Sequence, residues 1–140
     1  MISLSEPSAA VNVHTTSDIV LARRLARELA ARLGFGRADQ TRLATAVSEL
    51  TRNVIEYAGS GECKIFDTSD SSFKCVKIIV EDHGPGIPDI ERAMQDGFST
   101  GGSLGAGLPG TRRLTDSFMI ESNPGLTRIT ISLSVRKNNP

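Results

Sequence analysis

Between Glu81 and Leu114 the chain reads EDHGPGIPDIERAMQDGFSTGGSLGAGLPGTRRL, eight glycines and three prolines in thirty-four residues. Glycine loses the most backbone freedom on folding and packs no side chain. A run of this kind makes a poor core and constrains the fold more than any other feature. It divides the chain into a strand end (Glu81-Asp82), a loose middle and a helix start near Leu108, where Pro109 is tolerated in a first turn.

The close of the run, GAGLPG, fits the G-x-G-x-x-G pattern of dinucleotide-binding folds. That pattern needs a strand leading directly into the first glycine and an early βαβ unit. Here GFSTGGSL precedes Gly105, late in the chain. A P-loop is excluded as well, because no Gly-Lys-Ser/Thr follows. The physics of such loops still applies. Glycines bring backbone N–H groups close to an anion, and a helix start adds unpaired donors. Gly105, Gly107 and Gly110 therefore form a candidate phosphate loop. Upstream, Asp82 ends a strand and Gly84 and Gly86 follow, leaving room for a flat base beside a carboxylate. The segment DGFSTGGSL between the two clusters suits a lid.

The flanking segments carry ordinary periodicities. AAVNVHT alternates as a short strand from Ala9. A helix follows with Ser17 or Asp18 as cap and ends at Gly34–Gly36. A second helix is expected over 39–58, with Leu43, Val47, Leu50, Val54 and Tyr57 on its apolar face and Gly59 and Gly61 as stops. ECKIFDTS and FKCVKIIVED read as a hairpin, a short helix fits 88–95, and SFMIESN and TRITISLSV flank the turn Asn123-Pro124-Gly125. Strands in pairs with helices apart from them predict an α+β fold, a two-layer sandwich with helices on one face of the sheet.

The 39–58 helix adds chemistry. Glu49 and Asn53 are one turn apart on one face, at the edge of the apolar stripe. An amide oxygen and a carboxylate suit Mg²⁺, and a carboxylate near metal-bound phosphate accepts a hydroxyl proton. The ordinary account of ELTRN is a polar helix flank, with Arg52 and Glu56 as surface charges.

Sixteen basic and sixteen acidic residues cancel, which gives no support to nucleic acid or an anionic membrane as partner. No apolar run is long enough to span a bilayer. The N-terminus lacks the pattern of a signal peptide, so the cytoplasm is expected, with Cys63 and Cys75 reduced and each acting as a small buried hydrophobe. His14 and His83 make no zinc pattern with them. Residues 1–8 are expected to be flexible, 9–136 to form a single domain and 137–140 a loose tail.

In order, TAVSELTRNVIEYAG, VEDHGPGIPDI and DGFSTGGSLGAGLPGTRRLTDSF resemble the N box, first glycine box, and lid with second glycine box of the Bergerat-fold (GHKL) ATPases. The chain is most similar to the small bacterial serine/threonine kinases, the RsbT-like switch kinases, that act on STAS-domain proteins in partner-switching and stressosome pathways. The resemblance implies a Bergerat sandwich with a mixed, mostly antiparallel sheet, and ATP and Mg²⁺ as cofactors. It implies Glu49 as general base and Asn53 as metal ligand. Asp82 would bind the adenine amine, with Gly84, Gly86 and Ile87 shaping the pocket and Thr127 supporting it. Gly105, Ala106, Gly107, Leu108 and Gly110 would wrap phosphates, with Ser99 and Thr100 in the lid. Implied partners are STAS-domain substrates and a downstream phosphatase or sigma-factor regulator. The alternative is a nucleotide-dependent binding module with little kinase activity. The family usually has a second glycine where this chain has Leu126. The sequence sets no oligomeric state.

Overall fold

The computed structural model describes residues 6–95 and 107–137. The elements run β1 (Ala9–Val13), α1 (Thr16–Arg32), α2 (Arg37–Ala58), β2 (Gly61–Asp67), β3 (Phe73–Asp82), α3 (Ile90–Ala93), α4 (Gly107–Leu114), β4 (Ser117–Asn123) and β5 (Leu126–Arg136). The α+β expectation holds.

The helix starts differ from expectation. α1 is capped by Thr15, not Ser17 or Asp18. Asp18 sits inside the first turn and reaches back, accepting the N–H groups of Thr15 and His14, both at 2.9 Å. This is half of a capping box, in which the acid three residues in satisfies donors the helix leaves open. α2 begins at Arg37 behind Gly36. Gly59 ends it with a φ of 83°, a conformation glycine adopts without steric cost. Gly61 is no stop; it opens β2. A Cβ there would collide with the Glu81 carbonyl across the ladder. The helix expected over 88–95 shrinks to Ile90–Ala93, capped by Asp89, which accepts the Arg92 N–H at 3.0 Å.

The five strands form one sheet in the order β1-β2-β3-β5-β4. All four pairings are antiparallel, so the mixed sheet gives way to a wholly antiparallel one among the described residues. β5 inserts between β3 and β4, which sets Asp82 opposite Thr127. Leu126 in place of a glycine leaves that path regular: it pairs with Asn123, and Gly125, at a φ of 97°, makes the turn.

Val76, Ile78 and Val80 of β3 and Ile129, Ile131 and Leu133 of β5 alternate inward. They meet Leu43, Val47, Leu50 and Val54 of α2 in a single cluster with Ala22, Ala26 and Leu29 of α1. Each fully buried aliphatic contributes about 1.5–3 kcal/mol. Tyr57, expected on the apolar stripe, is 46% exposed at the last turn of α2. Cys63 is fully buried, and burial pushes its thiol up to about 12. Cys75 is only half-buried and accepts a hydrogen bond from Ser134 Oγ at 3.3 Å. The two cysteines are not cross-strand neighbours, since Cys63 faces Val80 and Cys75 faces Ser134.

Candidate functional site

Asp82 continues the inward row of Val76, Ile78 and Val80 at the very end of β3, so alternation carries a carboxylate to the rim of the core. It is 5% exposed. Its Oδ1 accepts the Gly84 N–H at 3.0 Å. The other oxygen meets no protein donor among the described residues, and no side-chain oxygen there is sealed without a partner. That oxygen therefore opens to solvent, a fixed acceptor with low exposure. An acceptor of this kind favours a ligand that brings an N–H donor.

The two glycines behind Asp82 are required by packing, and the room they save is filled by protein. A Cβ on Gly84 would lie 2.6 Å from the Ala58 Cβ, and one on Gly86 would lie 2.8 Å from the Asn123 carbonyl. Gly86 also has a φ of 85°. So the strand-to-loop segment is pressed against the end of α2 on one side and the β4–β5 turn on the other. The expectation that both glycines leave space for a base is corrected on this point. Two further bonds hold the turn: Gly125 N–H to the Gly84 carbonyl at 2.9 Å, and His83 Nδ1 to the Gly125 carbonyl at 3.1 Å.

Sequence reasoning missed Ser122. Its Oγ accepts the Ile87 N–H at 2.8 Å and lies 2.6 Å from Thr127 Oγ1. Thr127 is 4% exposed and faces Asp82 across the ladder. Ile87, half-buried, thus joins the site through its backbone and packs its side chain against the core. The signal was present: Ser122 follows Phe118 and Ile120 in the inward row of β4, a polar residue where an apolar one is due.

On α2, Glu49 is 5% exposed and its Oε1 pairs with Arg52 Nη1 at 3.1 Å. Asn53, one turn on, is half-buried. Both lie at the flank of the Leu50–Val54 stripe, as their spacing predicts. Arg52 is a partner of Glu49, not an isolated surface charge. Among the described residues, no three His, Cys, Asp or Glu side chains converge to hold a metal. A cation here would rest on Asn53 with oxygens from a ligand and water, which is how Mg²⁺ is commonly bound.

α4 packs against α2. Leu108 is 7% exposed and Thr111 fully buried, with Thr111 Oγ1 donating to the Gly107 carbonyl at 3.2 Å. Leu108 is thus a core residue by its side chain, and only its backbone faces the helix start. Gly107, at a φ of 69°, has nothing closer to its missing Cβ than Pro109 Cδ at 3.9 Å. Gly110 is buried in the first turn. The N–H groups of a first turn have no intrahelical acceptor and suit an anion. Ser99, Thr100, Gly105 and Ala106 lie outside the described residues. A separate cavity of about 470 Å³, lined by Asn12, His14, Glu62, Glu81 and His83 among others, includes neither Asp82 nor Asn53.

Residues 38–137 match the model of the histidine kinase-, DNA gyrase B- and HSP90-like ATPases. The chain belongs to this family. In this GHKL chain α2 packs against both β3 and α4. The chain is 55% identical over 115 residues to the serine/threonine-protein kinase RsbT of Bacillus subtilis, covering 82% of this chain and 86% of that one. It is 32% identical over 91 residues to the anti-sigma F factor of Bacillus licheniformis, covering 61% and 62%. In structure it is similar to the RsbU and RsbW domains of a Mycobacterium tuberculosis protein, at a TM-score of 0.64 and 18% identity, covering 94% of this chain and 34% of that one. The catalytic domain of histidine kinase ThkA matches at a TM-score of 0.54 and 20% identity, covering 89% and 95%. At such identities the two structures speak for the GHKL fold alone. Among the described residues no helix is long and apolar enough to cross a membrane.

Proposed function

We propose that this chain is an ATP-dependent protein serine/threonine kinase. Its substrates are STAS-domain proteins of a bacterial partner-switching pathway, and when released from them it activates a downstream phosphatase in the cytoplasm. The observation that carries the reading is a buried acid, Glu49, one turn before Asn53 on α2, in a chain 55% identical to a serine/threonine-protein kinase.

Each residue has a distinct task. Asp82 accepts a hydrogen bond from the adenine amine through its solvent-facing oxygen. Thr127 and Ile87 border the base, and Gly84 and Gly86 keep that edge pressed into place. The first turn of α4, from Gly107 through Leu108 to Gly110, offers backbone N–H groups to phosphate, and Ser99, Thr100, Gly105 and Ala106 are assigned further phosphate contacts. Asn53 holds Mg²⁺, whose contribution when bound is to neutralise charge on the phosphates. Glu49 accepts the proton of the substrate hydroxyl as its oxygen bonds the γ-phosphorus and ADP departs. Arg52 keeps the Glu49 carboxylate oriented before substrate arrives.

Similarity to an anti-sigma factor favours one second reading, a nucleotide-dependent module that acts by contact. Mixing the purified chain with Mg·ATP labelled at the γ-phosphate and a STAS-domain protein separates the two. Label on a serine or threonine of the partner supports the kinase. A stable nucleotide-dependent complex with no label supports the module.

A further inference from the structure

We propose that His83 is a positioning residue of the nucleotide pocket, clamping the loop that holds the Asp82 carboxylate in place. The proposal rests on the reading of that pocket as the adenine site.

Three hydrogen bonds link the ring to the acid. His83 Nδ1 lies 3.1 Å from the Gly125 carbonyl, the Gly125 N–H donates to the Gly84 carbonyl at 2.9 Å, and the Gly84 N–H donates to Asp82 Oδ1 at 3.0 Å. Each direction is fixed by chemistry. Carbonyl and carboxylate oxygens only accept. Nδ1 therefore carries the hydrogen of the first bond, and the neutral ring is held as its Nδ1–H tautomer. Gly125 has both backbone polar groups tied to residues 83 and 84. It sits at a φ of 97°, where glycine is free to turn, and the two bonds take that freedom away.

The far side of the loop has its own anchors, the Ile87 N–H on Ser122 Oγ at 2.8 Å and Gly86 against the Asn123 carbonyl. His83 supplies the side-chain bond on the Asp82 side. The residue is exposed and borders the separate cavity of about 470 Å³, so it fills no part of the core. Its place beside the acid follows from the bond it makes rather than from packing. Without the ring donor, the Gly125–Gly84 bond alone ties the turn to residues 83 and 84 among the described residues. The Gly84 peptide can then rotate away from Asp82 Oδ1. A ligand has to order the carboxylate as it binds, which costs affinity.

Calorimetry with ADP and Mg²⁺, and with adenosine alone, is run on the wild type, His83→Phe and His83→Asn, with Tm recorded for each. Phenylalanine keeps a flat ring and removes the donor. Asparagine loses the ring and keeps an amide N–H close to the position of Nδ1. His83→Phe should bind ADP about three- to tenfold more weakly, the usual cost of ordering one side chain on binding, and adenosine should lose the same factor. His83→Asn should restore both affinities. In the ligand-free wild type, NMR of the ring nitrogens should find the hydrogen on Nδ1. Unchanged affinity in His83→Phe, or an equal loss in His83→Asn with or without a lower Tm, would overturn the proposal, as would a ring protonated at Nε2 alone. Weaker ADP with adenosine spared would move the effect to the phosphate end and overturn it too. Wild-type protein that shows the Nδ1–H ring yet binds neither ligand would instead remove the adenine reading on which the proposal rests.

Discussion

Gly84 and Ala58 are in such close contact that a methyl group on the glycine would fall 2.6 Å from the alanine Cβ and 3.0 Å from its Cα. Neither atom belongs to a flexible side chain. Gly84→Ala must therefore push the β3 end away from α2, which should cost about 1–3 kcal/mol, the usual range for overpacking. The same shift withdraws the Gly84 N–H from Asp82. Thermal unfolding and ADP titration of the variant should show both losses. An unchanged Tm would mean that this contact carries no strain.

Glu49→Gln keeps the shape of the side chain and removes its basicity. Transfer to a STAS partner should fall by about 10²-fold or more, the usual worth of a general base, with ADP affinity within a few-fold of the wild type. A parallel loss of both would assign Glu49 to the fold, where its low exposure and pairing with Arg52 already give it a place.

Asn53→Ala should abolish magnesium-dependent binding of ATP while sparing the weaker, metal-free binding of adenosine. Asn53→Asp, which retains an oxygen donor, should recover part of it. A magnesium titration followed by calorimetry reads the difference. Wild-type magnesium dependence in the alanine variant would dismiss Asn53 as a ligand.

The N–H groups of Thr15 and His14 hold the Asp18 carboxyl below its ordinary value. A carboxyl depressed in the folded state stabilises the protein above its unfolded pKa and loses that contribution as pH falls through the folded one. Asp18→Asn should therefore lower Tm at neutral pH, and the gap to wild type should close as the solution is acidified through the carboxylate range. A gap that stays constant into acid would rule out the charged cap.

Cys63 is fully buried, with its thiol raised to about 12, whereas Cys75 is half-buried. Thiolate is the reactive form. A thiol reagent at neutral pH should modify Cys75 in the native protein and reach Cys63 only on unfolding. Rapid native labelling of Cys63 would contradict its place in the core.

Glycine and strict alternation made much of this molecule readable. Gly34 and Gly59 end their helices in the left-handed region, and the inward parity of Val76, Ile78 and Val80 carries Asp82 to the rim. Features set by which partner a side chain meets were not readable. Thr15 was hidden as a cap because Asp18, the more obvious residue, works by reaching back to it. The room saved by Gly84 looked like space for a ligand until Ala58 filled it. Tyr57 keeps the α2 periodicity, yet is exposed at the last turn of the helix. Ser122 had no motif to mark it, only the wrong polarity for its row.

The insertion of β5 between β3 and β4 has a consequence for biogenesis. Asp82 acquires its cross-strand neighbour Thr127 only when the last strand of the chain has slotted into the middle of the sheet. A polypeptide that stops short of Leu126 has Asp82 but lacks the strand that faces it. A ligand that rests on both residues would therefore stabilise only a chain in which β5 has taken its place.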